Sequence, residues 1–281
     1  MIKKITNKIK VIDAVLKNNL AENKKKAEAL ILEGRLFVNG ARIEKAGMLI
    51  NENADIFLKS PSPYVSRGAY KLESAFKSFA IDLKCIKAID FGASTGGFTD
   101  YLLRNGAEKV IAIDVGYGQF DWKLRNNKNV FLFERTNIKS LSVEQLPFLA
   151  QFAAADLSFI SIKNIFKYIY NLTSDLCEIL LLIKPQFELG KELVENKGVI
   201  IDENLHILVL KDIIDFFENE RNIEILGLDF SKIKGAKGNI EFWIYLRKIN
   251  ENAPVKKEQN YDKIINDLIL KTQNYFKKHN L

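Results

Sequence analysis

Four ionisable side chains, far apart in the 281-residue sequence, could share one piece of chemistry. Lys71 lies in a helical pattern ahead of an alternating α/β region, while Asp156, Lys184 and Glu241 each fall at or near a strand signal further on. Two ammonium groups and two carboxylates in one crevice would compensate each other's charge. A lysine beside another cation has its pKa drawn below its usual ~10.4 and can accept a proton. Each residue alone also has an ordinary explanation. Lys71 lies off its helix's apolar stripe and reads as a solvated lysine, and acids and lysines are common at strand tips. Glu241 interrupts an apolar run (Ile240, Phe242, Trp243, Ile244), where a carboxylate requires a partner.

A second constellation lies beside these four. In Ala88 to Thr99, AIDFGASTGGFT, an apolar strand signal runs into a loop with Gly92, Ser94, Gly96 and Gly97, and a helical pattern begins near Phe98. Glycines at such a turn let the backbone approach a ligand and expose N–H groups at a helix N-terminus, where an anionic or carboxylate group is favoured. The spacing G-x-S-x-G-G departs from the dinucleotide fingerprint G-x-G-x-x-G, so a pyrophosphate cofactor is the weaker reading. About twenty residues on, KVIAID ends in Asp114, an acid placed to accept both hydroxyls of a ribose. Together the two features read as a nucleoside site. Separately they read as a tight turn and a helix cap.

The elements that must position these groups follow an α/β pattern. Strand signals at Asn129 to Phe133, Ala153 to Ile160, Glu178 to Ile183, Ile223 to Phe230 and Asn239 to Arg247 alternate with helical pieces, including Asn204 to Asn219. That spacing predicts a doubly wound, Rossmann-like sheet with helices on both faces and ligands at the carboxyl tips of the strands. Ser66 is expected to cap the helix carrying Lys71, with Ala69, Leu72, Ala75, Phe76 and Phe79 on its apolar stripe.

Ahead of the sheet, Val11 to Leu16 and Lys24 to Leu32 show helical spacing, with Val11, Ile12, Val15 and Leu16 expected in a core. Asn39-Gly40 marks a hairpin. Lys24, Lys25 and Lys26 crowd a helix N-terminus, which opposes the macrodipole unless an anion lies nearby. Ser60-Pro61-Ser62-Pro63 breaks both helix and strand. The expected organisation is a small α+β domain over 1–59, a linker over 60–65, the sheet domain over 66–250 and a helical tail over 251–281.

The formal charge is +7, and residues 1–59 hold twelve Lys and Arg against seven Asp and Glu, so most of the excess sits in the first fifth of the chain. That favours an anionic partner such as nucleic acid. Cys85 and Cys177 lie far apart and suggest neither a disulfide framework nor a metal site. No apolar run approaches the ~18 residues needed to span a bilayer, and MIKKITNKIK has no apolar signal core. A soluble cytoplasmic protein is expected.

With these motifs assembled, the chain is identified as resembling the TlyA family, whose catalytic domain is FtsJ-like. The resemblance runs through YVSRGAYKLE, DFGASTGGFT, IDVGYGQFDWKLRNNKNV, ERTNIKSL, ADLSFISIKNI, LIKPQFELGK and GNIEFWIYLR. It implies an S-adenosyl-L-methionine-dependent ribose 2'-O-methyltransferase acting on cytidine of ribosomal RNA, with ribosomal RNA or subunits as partners and no metal. It places a catalytic Lys-Asp-Lys-Glu tetrad on Lys71, Asp156, Lys184 and Glu241, with Lys184 the candidate base. The cofactor would be held by Gly92, Ser94, Gly96, Gly97, Phe98, Asp114 and Asp156, with Thr136 and Asn137 near the adenine.

LAENKKKAEALILEGRLFVNGARI resembles the S-four-like RNA-binding module, making Lys24, Lys25, Lys26 and Arg35, with Arg67 beyond the linker, candidate RNA contacts. Lys237, where relatives often carry a small hydroxyl residue, could add a phosphate contact. Two rival readings remain: a non-catalytic RNA-binding or ribosome-assembly protein, and a membrane-active haemolysin using the amphipathic stretch Tyr261 to Phe276.

Overall fold

The computed structural model describes residues 7–60, 62–194, 198–250 and 259–279. The lead before residue 7, Pro61 of the expected linker and residues 251–258 of the expected tail lie outside them. The chain divides into two units, Met1–Pro63 and Tyr64–Leu281.

In the first unit, β1 (Lys8–Lys10) runs directly into α1 (Val11–Lys17), followed by α2 (Lys24–Leu32), β2 (Leu36–Val38), β3 (Ala41–Arg42), β4 (Leu49–Asn51) and β5 (Ile56–Leu58). Asn23 caps α2 by accepting the Lys26 N–H at 2.9 Å. Asn39 and Gly40, both at positive φ, form the turn between β2 and β3. The core gathers Val11, Ala14, Val15, Ala27, Ile31, Leu36, Val38 and Ile43. Leu16, expected inside, is half-buried, and Ala14 takes the inward position. The strands form an antiparallel β1–β4 pair and a three-stranded sheet in the order β3-β2-β5.

The second unit begins with α3 (Gly68–Phe79) and continues through β6 (Lys87–Phe91), α4 (Gly97–Arg104), β7 (Lys109–Ile113), α5 (Trp122–Arg125), β8 (Val130–Phe133) and β9 (Ala150–Ala155). It proceeds through α6 (Ile162–Asn171), β10 (Thr173–Ile183), α7 (Pro185–Glu188), α8 (Glu203–Glu218), β11 (Ile223–Phe230), β12 (Phe242–Lys248) and α9 (Tyr261–Lys278). The seven strands form one sheet in the order β11-β12-β10-β9-β6-β7-β8. Strands β10, β9, β6, β7 and β8 run parallel, while β12 pairs antiparallel with both β10 and β11.

Near-continuous apolar runs form these strands because both faces of the sheet are covered. Alternation divides them between two layers. Ile179, Leu181 and Ile183 of β10 pack with α6, α8 and α9, whereas Leu180 and Leu182 pack with α3 and α4. Chain order reverses where β6 lies between β9 and β7, opening a crevice at their carboxyl ends, the usual ligand position of such sheets. The tail helix α9 buries Ile265, Leu268, Ile269 and Phe276 against the α6/α8 layer.

Two local expectations are corrected. Ser66 does not cap α3: the N-cap is Arg67, with no side-chain cap bond, and the Ser66 hydroxyl sits against Gly97 of the glycine turn. Glu241 lies immediately before β12 rather than within it, and its carbonyl accepts the Ser231 N–H at 2.8 Å.

Candidate active site

Strand tips carry most of the site. The turn after β6 bends back under two hydrogen bonds, with Gly92 N–H and Ala93 N–H both donating to the Ile113 carbonyl. Gly92 holds φ +86°, and a Cβ there would lie 2.7 Å from the Asp156 carbonyl oxygen, so only glycine allows β6 and β9 to end this close together. Asp114, at the tip of β7, accepts from the Ser94 N–H at 2.7 Å and the Gly116 N–H at 2.6 Å, fixing its carboxylate on the cavity wall. Beneath the turn, Asp90 accepts from the backbone and hydroxyl of Thr99, while its buried Oδ1 has no hydrogen-bond partner among the described residues. Burial pushes the Asp90 carboxyl up to about 7, against the pull of the Thr99 bonds.

Asp156 follows β9 and Lys184 follows β10, on adjacent parallel strands; Lys71 reaches them from α3 and Glu241 from the entry to β12. The four side chains meet. Asp156 Oδ1 lies 2.5 Å from Lys184 Nζ, Asp156 Oδ2 lies 3.2 Å from Lys71 Nζ, and Lys71 Nζ lies 2.8 Å from Glu241 Oε2. Lys184 also donates to Ser158 Oγ at 3.0 Å. Lys71 thus has two carboxylates and Lys184 one. Lys71 is not a solvated helical lysine, since its side chain is only 14% exposed.

Burial disfavours the Lys71 ammonium, but Asp156 and Glu241 outweigh it and its pKa is raised, the reverse of the lowering expected for a lysine beside another cation. Burial would likewise raise Asp156, yet two lysines hold its carboxyl below the usual range. Glu241 stays raised because burial exceeds the help from Lys71.

Two cavities meet at Asp156, with Lys71 lining one of them and Lys184 and Glu241 bordering neither. The larger, about 610 Å³, is walled by apolar Ile113, Val115, Ile138 and Leu157 together with Asp114, Thr136 and Asn137. The smaller, about 320 Å³, is lined by Ser66, Arg67, Lys71, Phe98 and the loop residues Lys234 and Gly235. Gly92, Ser94 and Asp156 border both. Of the expected cofactor residues, Gly97 and Phe98 line the smaller cavity, whereas Gly96 borders neither and instead N-caps α4 against Leu124 and Phe120. Arg67 lines the smaller cavity. Lys24, Lys25 and Lys26 are exposed on the first unit, and Arg35 there is tied to the Lys59 carbonyl and to Glu33.

Besides Ser158 and Lys234, two residues at the site escaped the sequence reading. Phe159 stands at the mouth of the larger cavity, 90% exposed and at φ +64°, with its ring 5.0 Å from that of Phe187. An aromatic held out into solvent on a strained backbone is an invitation to stack a flat ring. Its signal was its place three residues after Asp156. Gly235 is the second: a Cβ there would fall 1.9 Å from Glu241 Oε1, so the loop over the smaller cavity holds Glu241 by having no side chain at that point.

Residues 64–248 match the family model described as FtsJ-like methyltransferase. The chain is 36% identical over 245 residues to the 16S/23S rRNA (cytidine-2'-O)-methyltransferase TlyA of Mycobacterium tuberculosis, spanning 86% of this chain and 91% of that protein. It is 41% identical over 245 residues to YqxC of Bacillus subtilis, named as a candidate rRNA methyltransferase, with 86% and 87% covered. A solved structure of a candidate hemolysin from Streptococcus thermophilus superposes with a TM-score of 0.74 at 34% identity, covering 98% of this chain and 99% of that one.

Proposed function

The chain belongs to the FtsJ-like methyltransferase family, and from that premise we propose that it transfers a methyl group from S-adenosyl-L-methionine to the 2'-hydroxyl of cytidine in ribosomal RNA, in the cytoplasm. The observation that carries the reading is Asp156, standing between two lysines at the border of two cavities.

The larger cavity suits the cofactor. Its apolar walls fit an adenine, Asp114 fits a ribose diol, Thr136 and Asn137 offer polar groups to a base edge, and its volume lies in the range of small-molecule sites. Ser94 and Gly92 would hold the portion nearest the turn. When bound, the cofactor supplies a methyl group already activated on a cationic sulfur.

The remaining work falls to the four side chains. A ribose hydroxyl is a poor nucleophile and must be aligned and relieved of its proton. Lys71, kept charged by Asp156 and Glu241, donates to the attacking oxygen and fixes its position. Lys184, with one carboxylate neighbour against two for Lys71, would give its own proton to water and, as the neutral amine, take the hydroxyl proton at Nζ. Asp156 holds both lysines in register, and Ser158 Oγ steadies Lys184. Arg67 and Lys234, which line the smaller cavity, would meet RNA phosphates, and Phe159 the target base. In the first unit, Lys24, Lys25 and Lys26 supply a sequence-independent grip on the backbone.

Lys184→Ala tests the base assignment. Turnover with labelled cofactor and ribosomal RNA should fall by at least ~10²-fold, while calorimetric cofactor affinity stays within about twofold. Retained turnover would remove Lys184 from the base role.

A further inference from the structure

The three-stranded sheet of the first unit has two unlike faces. Leu36, Val38, Ile56 and Leu58 point into the core, whereas Phe37 and Phe57 fall outside the apolar cluster. They are register partners on β2 and β5, and their rings stack at 5.3 Å with an interplanar angle of 13°. Phe57 is 43% exposed. On the other side of β2, Phe37 is the register partner of Arg42 on β3, so one row across the sheet reads arginine, phenylalanine, phenylalanine. The Arg42 side chain is exposed and forms no ion pair among the described residues. Its guanidinium lies over Gly34, at φ +67°, where a Cβ would come within 2.3 Å of Nη2; the absent side chain leaves a seat for it.

Burial does not explain this row. Two stacked aromatic rings and, on the next strand, an arginine share one register row on the solvent side of a sheet, in the unit that carries most of the chain's positive excess. Sheet aromatics spaced by neighbouring strands match the way unpaired bases are received on β-sheet RNA-binding surfaces, and guanidinium planes stack on bases as well. A purely apolar partner would leave Arg42 buried without a counter-charge. Nucleic acid offers both a π-face and a phosphate.

We propose that Arg42, Phe37 and Phe57 form a stacking platform for unpaired nucleobases of the RNA substrate, distinct from the lysines at the start of α2. It rests on the reading of the protein as an RNA methyltransferase, and its test is kept separate from methyl transfer.

The full chain is titrated by fluorescence anisotropy with an unstructured RNA strand of about twelve nucleotides and with an abasic strand of the same length. Phe57→Leu and Phe37→Leu, which keep apolar volume but lose the ring, should each weaken binding to the base-bearing strand by about tenfold and leave the abasic strand unaffected; Phe57→Tyr should retain the parent affinity. Equal losses on both strands, or no loss on either, overturn the platform. So does a dimer, detected by light scattering, that Phe57→Leu dissolves, because the face would then serve a second copy of the chain. A parent chain that methylates RNA yet binds without regard to these rings loses the platform alone, and one that shows ring-dependent binding without methyl transfer loses the enzyme reading alone.

Discussion

The four charged groups are arranged so that each lysine's partner set differs, and that asymmetry is sensitive to single atoms. Gly235→Ala would drive a methyl group into Glu241 and push its carboxylate off Lys71. Displacements of about 1 Å at positioning groups can cost ~10²-fold in rate. The variant is therefore expected to lose one to two orders of magnitude in kcat while binding the cofactor as the parent does; an unchanged kcat would show that Glu241 does not hold Lys71 for catalysis.

Asp90 gives a pH signature of its own. Its folded-state pKa of about 7 lies above the unfolded value near 3.8, so between those limits the folded chain holds a proton that the unfolded chain releases. Stability from this group is complete below the unfolded value and is lost as pH rises toward 7, by up to ~1.4 kcal/mol per pH unit. Glu188 and Glu241, also raised by burial, add the same sign. Urea unfolding of Asp90→Asn between pH 5 and 8 should show a shallower decline than the parent; equal slopes would contradict it. At this scale the sequence marked which residue types could meet, because acids and lysines at strand tips converge in open α/β sheets. It did not reveal Gly235, whose role depends on how its own loop turns back onto Glu241, or the contact of the Ser66 hydroxyl with Gly97, which depends on how distant segments come together.

Among the elements, the parallel strands were the most legible part of the chain, since strands buried on both faces read as unbroken apolar runs. The weak pieces were hidden for the same reason. Strand β10 begins at Thr173, earlier than its apolar run suggests, and its register with β9 shifts between Thr173 and Glu178. The β1–β4 pair uses only three residues on each side, with Ile9 and Ile50 as its apolar pairing.

The tail reads first as a helix docked on the sheet domain, with a membrane-active helix as the rival, because both present an amphipathic face. Its apolar face is packed on α8 and β11, and among the described residues no helix is long and apolar enough to cross a membrane. Leu268→Ala should therefore destabilise the protein by about 2–3 kcal/mol in urea unfolding. Unaltered stability, with a loss of vesicle binding instead, would point to a surface helix.

For the whole molecule, the division of labour follows charge. The first unit concentrates cations, while the second holds a self-compensated cluster at its crevice. RNA affinity should fall steeply with salt, and replacing Lys24, Lys25 and Lys26 together by glutamine should flatten that dependence, by roughly 0.7–0.9 in the logarithmic slope for each phosphate no longer neutralised. An unchanged slope would place the backbone grip elsewhere.

The most direct test of the account is nucleoside mass spectrometry of ribosomal RNA incubated with the purified chain and S-adenosyl-L-methionine. The account predicts 2'-O-methylcytidine above the untreated background, and none with Lys71→Ala. Methyl groups found only on bases, or an equal yield from the variant, would contradict it.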